Sequence, residues 1–343
     1  MKKLIRMLVT NRVYPLIIFA LVVNVVVNPA FISELNVRGL LIEASTTMIV
    51  CAGLAVVLIC GQIDLSVGST LGLATMIAIA GQPALGTLGA AAVAIIAGAV
   101  VGAFNGILVT VFKVNSMLAT IGTMILVNGI SLSFNGGGEV SGIDINASLS
   151  IQRPILGVLS PTSIIAVVIV ILIHVIVSQT TWGRGLYVIG GVDDAGRTSG
   201  LPTGRILTTA FVISGITAAL AGVVLGIGLD SGSPDFGSSI LFTAVAAVVV
   251  GGVSLFGAEG SVLGASIGAL LLSSINYGMN LAQLATDLIT IVDGSILVLV
   301  VLLDSYFGHR RKRIRSHRLI DLYELAIEDG NDERLEALHE YLH

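Results

Sequence analysis

Between Gly39 and Gly183 the chain carries only six charged side chains: Glu43, Asp64, Lys113, Glu139, Asp144 and Arg153. Soluble domains hold about 25% charged residues; here the figure is 11%, against 55% hydrophobic residues. A helix needs about 20 mainly apolar residues to cross a bilayer, and the chain offers many such runs. They are continuous instead of alternating in polarity, which argues against a β-barrel. The fold class expected is therefore an all-α polytopic membrane protein set in membrane lipid.

Apolar runs and their breaks give ten expected segments: 14–33, 40–60, 65–82, 86–112, 116–134, 162–178, 206–227, 240–252, 260–281 and 288–306. The basic, then apolar start has the outline of a signal peptide, but with so many spans following it reads as an uncleaved first helix. Lys and Arg are retained on the cytoplasmic side. Lys2, Lys3, Arg6 and Arg12 at the start, and the run HRRKRIRSHR from His309, place both termini inside. An even number of crossings follows. Under that count Lys113, Arg184, Arg197 and Arg205 also fall inside, and the polar loop 135–154 falls outside. Residues 1–308 form the expected transmembrane domain. Residues 309–343 form a basic, then acidic, amphipathic cytoplasmic tail, with one apolar stripe at Leu319, Leu322, Leu325 and Ile327 and another at Leu335, Leu338 and Leu342.

The stretch LICGQIDLSVGSTLGLA from Leu58 can be laid on VVVGGVSLFGAEGSVLGA from Val248 with a two-residue insertion, matching Gly61 to Gly251 and Ser69 to Ser261. Internal duplication of this kind is common in transporters. Glycines recur every fourth residue at Gly98, Gly102 and Gly106, and again at Gly260, Gly264 and Gly268. Each triplet is expected to make a smooth stripe for close helix packing.

Several chemistries are excluded. The four lysines, Lys2, Lys3, Lys113 and Lys312, all lie outside any G-x-x-x-x-G-K-[S/T] pattern, so no phosphate-cradling loop of that type is present. No His/Cys cluster has metal-ligand spacing, and Cys51 and Cys60 do not face each other across one helix. Four of five histidines lie in or beside the tail; His174 is expected on a helix face near a polar contact. No catalytic residue, metal or nucleic-acid partner is expected.

Polar residues gather at GQIDLSVGS. Gly61 and Gly68 flank it, so the helix is expected to break, with Gln62, Asp64, Ser66 and Ser69 serving the freed backbone groups. A carboxylate at membrane depth costs about 2.5–3.5 kcal/mol on insertion scales. Two readings stay open: Asp64 or Ser66 caps a helix starting near Val67, or Asp64 meets a translocated solute. Gly251, Gly252 and Ser254 are the repeat's counterparts. A second polar stretch, Thr180 to Leu207, carries Gly190, Gly191, Asp193, Asp194, Ala195, Arg197 and Gly200. A short helix from about Asp193 to Ser199, begun by acids suited to its N-terminus, is expected to lie under the membrane and to offer a partner a grip.

Together GQIDLSVGS, VIGGVDDAGRTSGL and AVAAVVVGGVSLFGAEGSVLGASIGALLL, in this order and spacing, resemble the permeases of ribose-type monosaccharide ABC importers over about residues 40–304. The resemblance implies a helical subunit of the bacterial inner membrane, paired with a second permease copy or homologue. It also implies a cytoplasmic ATPase gripping the loop helix, with ATP and Mg bound there and no cofactor in this chain, and a periplasmic binding protein delivering the sugar. The loop departs from the family's usual Gly-Gly-Asn followed by acidic-Ala-Ala, reading Gly190-Gly191-Val192-Asp193-Asp194-Ala195-Gly196. Gly196 weakens a helix by about 1 kcal/mol relative to Ala. The rival reading is a proton-coupled secondary transporter using Asp64, Asp287 and Asp293.

Overall fold

A computed structural model describes residues 13–155, 157–191 and 200–306. Its helices are α1 (Val13–Val27), α2 (Glu34–Ile59), α3 (Val67–Ala80), α4 (Gln82–Thr110), α5 (Ser116–Ser133), α6 (Ile145–Gln152), α7 (Pro161–Gln179), α8 (Thr181–Gly191), α9 (Thr203–Leu229), α10 (Phe236–Val250) and α11 (Val262–Leu281). A further helix, α12, runs Thr286–Tyr306. Seven of these helices are long and apolar enough to cross a membrane, and three shorter apolar ones lie at Pro15–Val27, Val67–Ala80 and Phe236–Val250. All ten coincide with the segments expected from sequence. By chain contacts the protein falls into two units, residues 1–298 and 299–343; of the second, residues 299–306 are described and are helical. The expected tail helices lie outside the described residues.

The core of the first unit is built around α2, whose residues from Ile49 to Ile59 are all buried. Phe211 of α9, Leu186 of α8 and Val248 of α10 pack against it. Helix α4 lies along α9 through the expected glycine stripe. A methyl group added at Gly98, Gly102 or Gly106 would sit 2.4, 2.3 or 2.8 Å from α9 atoms, two of them backbone carbonyls. In the second triplet Gly264 and Gly268 play that part against Gly251 and Ala247. Gly260 does not: it precedes α11, and its φ of +107° serves the loop.

Loop contacts sort into two ends. At one end the two-residue strands β1 (Val140–Ser141) and β2 (Ser231–Gly232) pair antiparallel, Val140 opposite Gly232. There the Ile143 amide donates to Gln82 Oε1 at 2.9 Å, and Thr87 donates to Asp144 Oδ2 at 2.6 Å. The Thr87 hydroxyl, with the Ala147 amide, holds the Asp144 carboxyl below the usual carboxylate range. The polar loop 135–154 is thus partly ordered, since Asp144 caps α6. At the other end lie the segments after α2, α4 and α10. His174 departs from expectation: its Nδ1 has no hydrogen-bond partner among the described residues, because the buried face of α7 (Ala166, Val170, Ile173, Val177) packs on apolar core.

The glycine stripe yields a paired test. In an open helical position Gly→Ala gains about 1 kcal/mol, as expected at Gly122, where nothing lies within 4 Å of the new methyl. At Gly102 the same change meets the Phe211 carbonyl, and overpacking costs about 1–3 kcal/mol. Thermal unfolding in detergent should therefore show Gly122→Ala at or above the parent midpoint and Gly102→Ala clearly below it.

Candidate functional site at two broken helices

Helices α2 and α10 end in the same way. After α2 the Gly61 amide donates to Leu58 O at 2.8 Å and the Gln62 amide to Val57 O at 3.2 Å. After α10 the Gly252 amide donates to Val249 O at 2.9 Å and the Val253 amide to Val248 O at 3.1 Å. This pair of bonds, with a left-handed glycine at the turn, is the Schellman ending; φ is +71° at Gly61 and +89° at Gly252. The internal repeat is therefore structural, but its register is corrected. Gly61 corresponds to Gly252, not Gly251, because these two glycines hold the left-handed position of the turn. The following helices begin after Ser66 and Ser261, so Ser261 corresponds to Ser66, not to Ser69. The intervening stretches, 62–65 and 253–260, differ by four residues rather than two.

Helix α3 has 14 residues, about 21 Å at 1.5 Å per residue, short of the hydrocarbon thickness of about 30 Å. Any full crossing here must include the non-helical backbone before α3. Such backbone is tolerated at membrane depth only inside protein, and here Asp64 and Ser66 are buried while Gln62, Ile63 and Leu65 are half-buried. The Ile63 amide donates to Ser116 Oγ and the Leu65 amide to Thr120 Oγ1, each at 3.2 Å, from α5. Asp64 is 1% exposed. Its Oδ1 accepts from the Ser66 amide at 3.0 Å and the Ser66 hydroxyl at 2.6 Å, while Oδ2 accepts from Ser214 of α9 at 2.8 Å. Asn105 of α4 donates to Ser66 Oγ at 2.8 Å. Ser214 lies eleven residues beyond Thr203, the first residue of α9, about 16 Å along its axis.

Asp64 thus clamps the break to two neighbouring helices. It is not the side-chain N-cap of α3, nor is Ser66: Ser66 stands at the cap position with helical φ −76° and ψ −10°, and makes no capping bond, because its hydroxyl is turned to Asp64. Asp64 instead forms a local turn to the amide two residues on.

The second break lies against the first. The Ala258 amide donates to Ile59 O, the last helical carbonyl of α2, at 2.9 Å. Gly190, near the end of α8, fills the notch beside this bond: a methyl there would sit 2.0 Å from Ile59 O and 2.7 Å from the Ala258 nitrogen. Gly257, with φ +83°, backs onto Gly190 and Gly61. The Tyr187 hydroxyl of α8 donates to Gly260 O at 3.0 Å. Helix α8 is itself held by Trp182 Nε1, which donates to Thr209 Oγ1 at 2.7 Å.

Of the residues singled out in sequence, Gly61, Gly190, Gly191, Gly251, Gly252 and Ser254 meet at or beside this junction. Ser254 fastens its own loop, its hydroxyl accepting from the Phe256 amide at 3.2 Å. Asp64, Ser66 and Ser69 form the buried knot above it, Ser69 donating to Ser66 O at 3.0 Å. Gly68 departs from the break entirely and packs on the Gly237 carbonyl of α10. Gln62 is half-buried. Gly200 begins the approach to α9 with φ +69°. Asp193, Asp194, Ala195 and Arg197, and the helix expected on them, lie outside the described residues. Sequence reasoning missed Asn105, Ser116, Thr120, Tyr187 and Ser214. Asn105 alone left a trace, as the only side-chain amide between Gln82 and Asn115.

The knot discriminates between two substitutions. Asp64→Ala leaves the Ser66 amide and two hydroxyls without their acceptor, and a buried unsatisfied group costs about 1–3 kcal/mol. Asp64→Asn keeps the acceptor for Ser66 and offers its amide to Ser214 Oγ. Unfolding in mild detergent should show Asp64→Ala destabilised by at least about 2 kcal/mol and Asp64→Asn by under about 1 kcal/mol. Equal losses would mean that the charge itself is required.

The chain resembles known proteins along most of its length. It is 32% identical over 315 residues to the ribose import permease protein RbsC of Haemophilus influenzae, covering 89% of this chain and 96% of that protein. It is 34% identical over 285 residues to RbsC of Escherichia coli K12, covering 81% and 88%. Against the galactose/methyl galactoside import permease protein MglC of the same strain it is 30% identical over 330 residues, covering 91% and 98%. No solved structure matches it. Residues 36–301 match the model of the permease component of branched-chain amino acid transport systems, and the chain belongs to that family of transport permeases.

Proposed function

We propose that this chain is the membrane subunit of an ATP-driven importer in the bacterial inner membrane, carrying a monosaccharide or a similar small polar solute. The observation that carries this reading is the near full-length similarity to permeases named for ribose and galactose import. A periplasmic binding protein delivers the solute, a second permease copy or homologue completes the pathway, and a separate ATPase binds ATP and Mg. The lack of a phosphate loop in the sequence fits this division of labour. Both termini face the cytoplasm in this reading, as does the junction of the two breaks. Gly190 to Gly200 is then the segment that the ATPase grips, and α8 links it to the broken helices. Against the proton-relay alternative, among the described residues no hydrogen bond joins its three carboxyls: Asp64 bonds to Ser66 and Ser214, Asp293 accepts from Asn276, and Asp287 is exposed.

The purified permease should hydrolyse no ATP alone; in liposomes with its ATPase and binding protein, ATP should be hydrolysed by the ATPase and ribose or galactose should accumulate inside. Solute accumulation driven by a proton gradient without ATP would overturn the reading. Within it, Ala195→Trp should abolish pull-down of the ATPase while limited proteolysis shows the bundle intact. Retention of the ATPase would move the grip to the tail.

A further inference from the structure

Two separately broken helices share one backbone hydrogen bond, Ala258 amide to Ile59 carbonyl, and one helix touches both sides of it. From this we infer that Tyr187 and Gly190 of α8 are positioning residues that bind the two breaks into a single moving part, so that displacement of α8 shifts both at once. The inference rests on the functional reading above, which supplies the force on α8.

The geometry makes the linkage stiff. Gly190 has no slack, because its α-carbon stands where any side chain would collide with Ile59 O and the Ala258 nitrogen. Gly257 closes the far side at positive φ, with Gly190 O and the Gly61 α-carbon at 2.7 and 2.8 Å from the position of a methyl. Tyr187, one turn earlier on α8, holds the carbonyl of Gly260, just before α11 starts at Val262. Movement of α8 therefore acts on the end of α2 and on the start of α11 together. The two turns are held by their Schellman bonds and by the Ala258–Ile59 bond. They are good levers because each is bonded at defined points. Packed elements of this kind shift between discrete arrangements instead of deforming smoothly.

Cys60 provides the readout. It is the residue that ends α2, beside Gly61, and is 2% exposed. In a Cys51→Ser background it is the only cysteine of the chain. In the complex of permease, ATPase and binding protein in liposomes, a membrane-permeant maleimide should label Cys60 slowly without nucleotide and faster during ATP turnover. Tyr187→Phe removes one hydroxyl and nothing else. It should leave ATP hydrolysis in place while cutting the ATP-dependent gain in labelling about fivefold, the factor expected from losing one ordinary hydrogen bond. Gly190→Ala should abolish the gain; should that variant fail to assemble, Tyr187→Phe carries the test. Turnover with Cys60 labelling unchanged in the parent, or an undiminished gain in Tyr187→Phe, would overturn the inference alone. A permease that binds no ATPase would overturn the functional reading, and this inference with it.

Discussion

A polypeptide that leaves its helix inside a bilayer must find a partner for every N–H it frees, because no water is there to take one. The architecture around residues 60–66 answers that requirement group by group. Ser116 and Thr120 receive the amides of Ile63 and Leu65, Asp64 receives that of Ser66, and the Schellman bonds receive Gly61 and Gln62. The carboxylate at the centre is thereby bonded within the protein. It is the acceptor that gathers Ser66 and Ser214 at one point, and Ser66 in turn gathers Asn105. The second break follows the same rule more sparingly, borrowing the free carbonyl at the end of α2 for Ala258.

Close packing carries the rest. Lipid tails are as apolar as the helices, so association rests on fit. The contacts of α4 with α9 and of α10 with α11 bring backbone against backbone at glycine. The same device, used at Gly190, places α8 against the junction. A transport subunit needs parts that are rigid yet able to move against each other, and glycine contacts serve this by leaving few side chains to unlock.

Much of this was legible in the sequence, and the boundary of what was legible is instructive. The ten apolar segments read directly, since a crossing in lipid leaves no choice of composition. The break at Gly61 read from glycine and polar residues in an apolar field. The role of Asp64 did not, because it depends on Ser214, 150 positions away, and serine in a membrane helix carries no signature of its own. The repeat was visible but slipped by one residue. Gly251 and Gly252 are adjacent, and only φ distinguishes the one that stands at the left-handed turn. Helix α8 is obscured in its sequence, where Gly183, Gly185 and Gly190 suggest a turn by propensity. Packing overrides them, with Leu186 and Ile189 buried on one face.

The central claim is that the non-helical backbone at both breaks is sealed by internal hydrogen bonds and acts as one element. Amide hydrogen exchange on the resting permease in a lipid bilayer tests it most directly. The amides of Ile63, Leu65 and Ala258 should exchange as slowly as those of the core of α2, and should lose protection together when α8 is perturbed by Tyr187→Phe. Rapid, independent exchange at Ile63 and Leu65 in the parent protein would show an open, solvated loop and contradict the account.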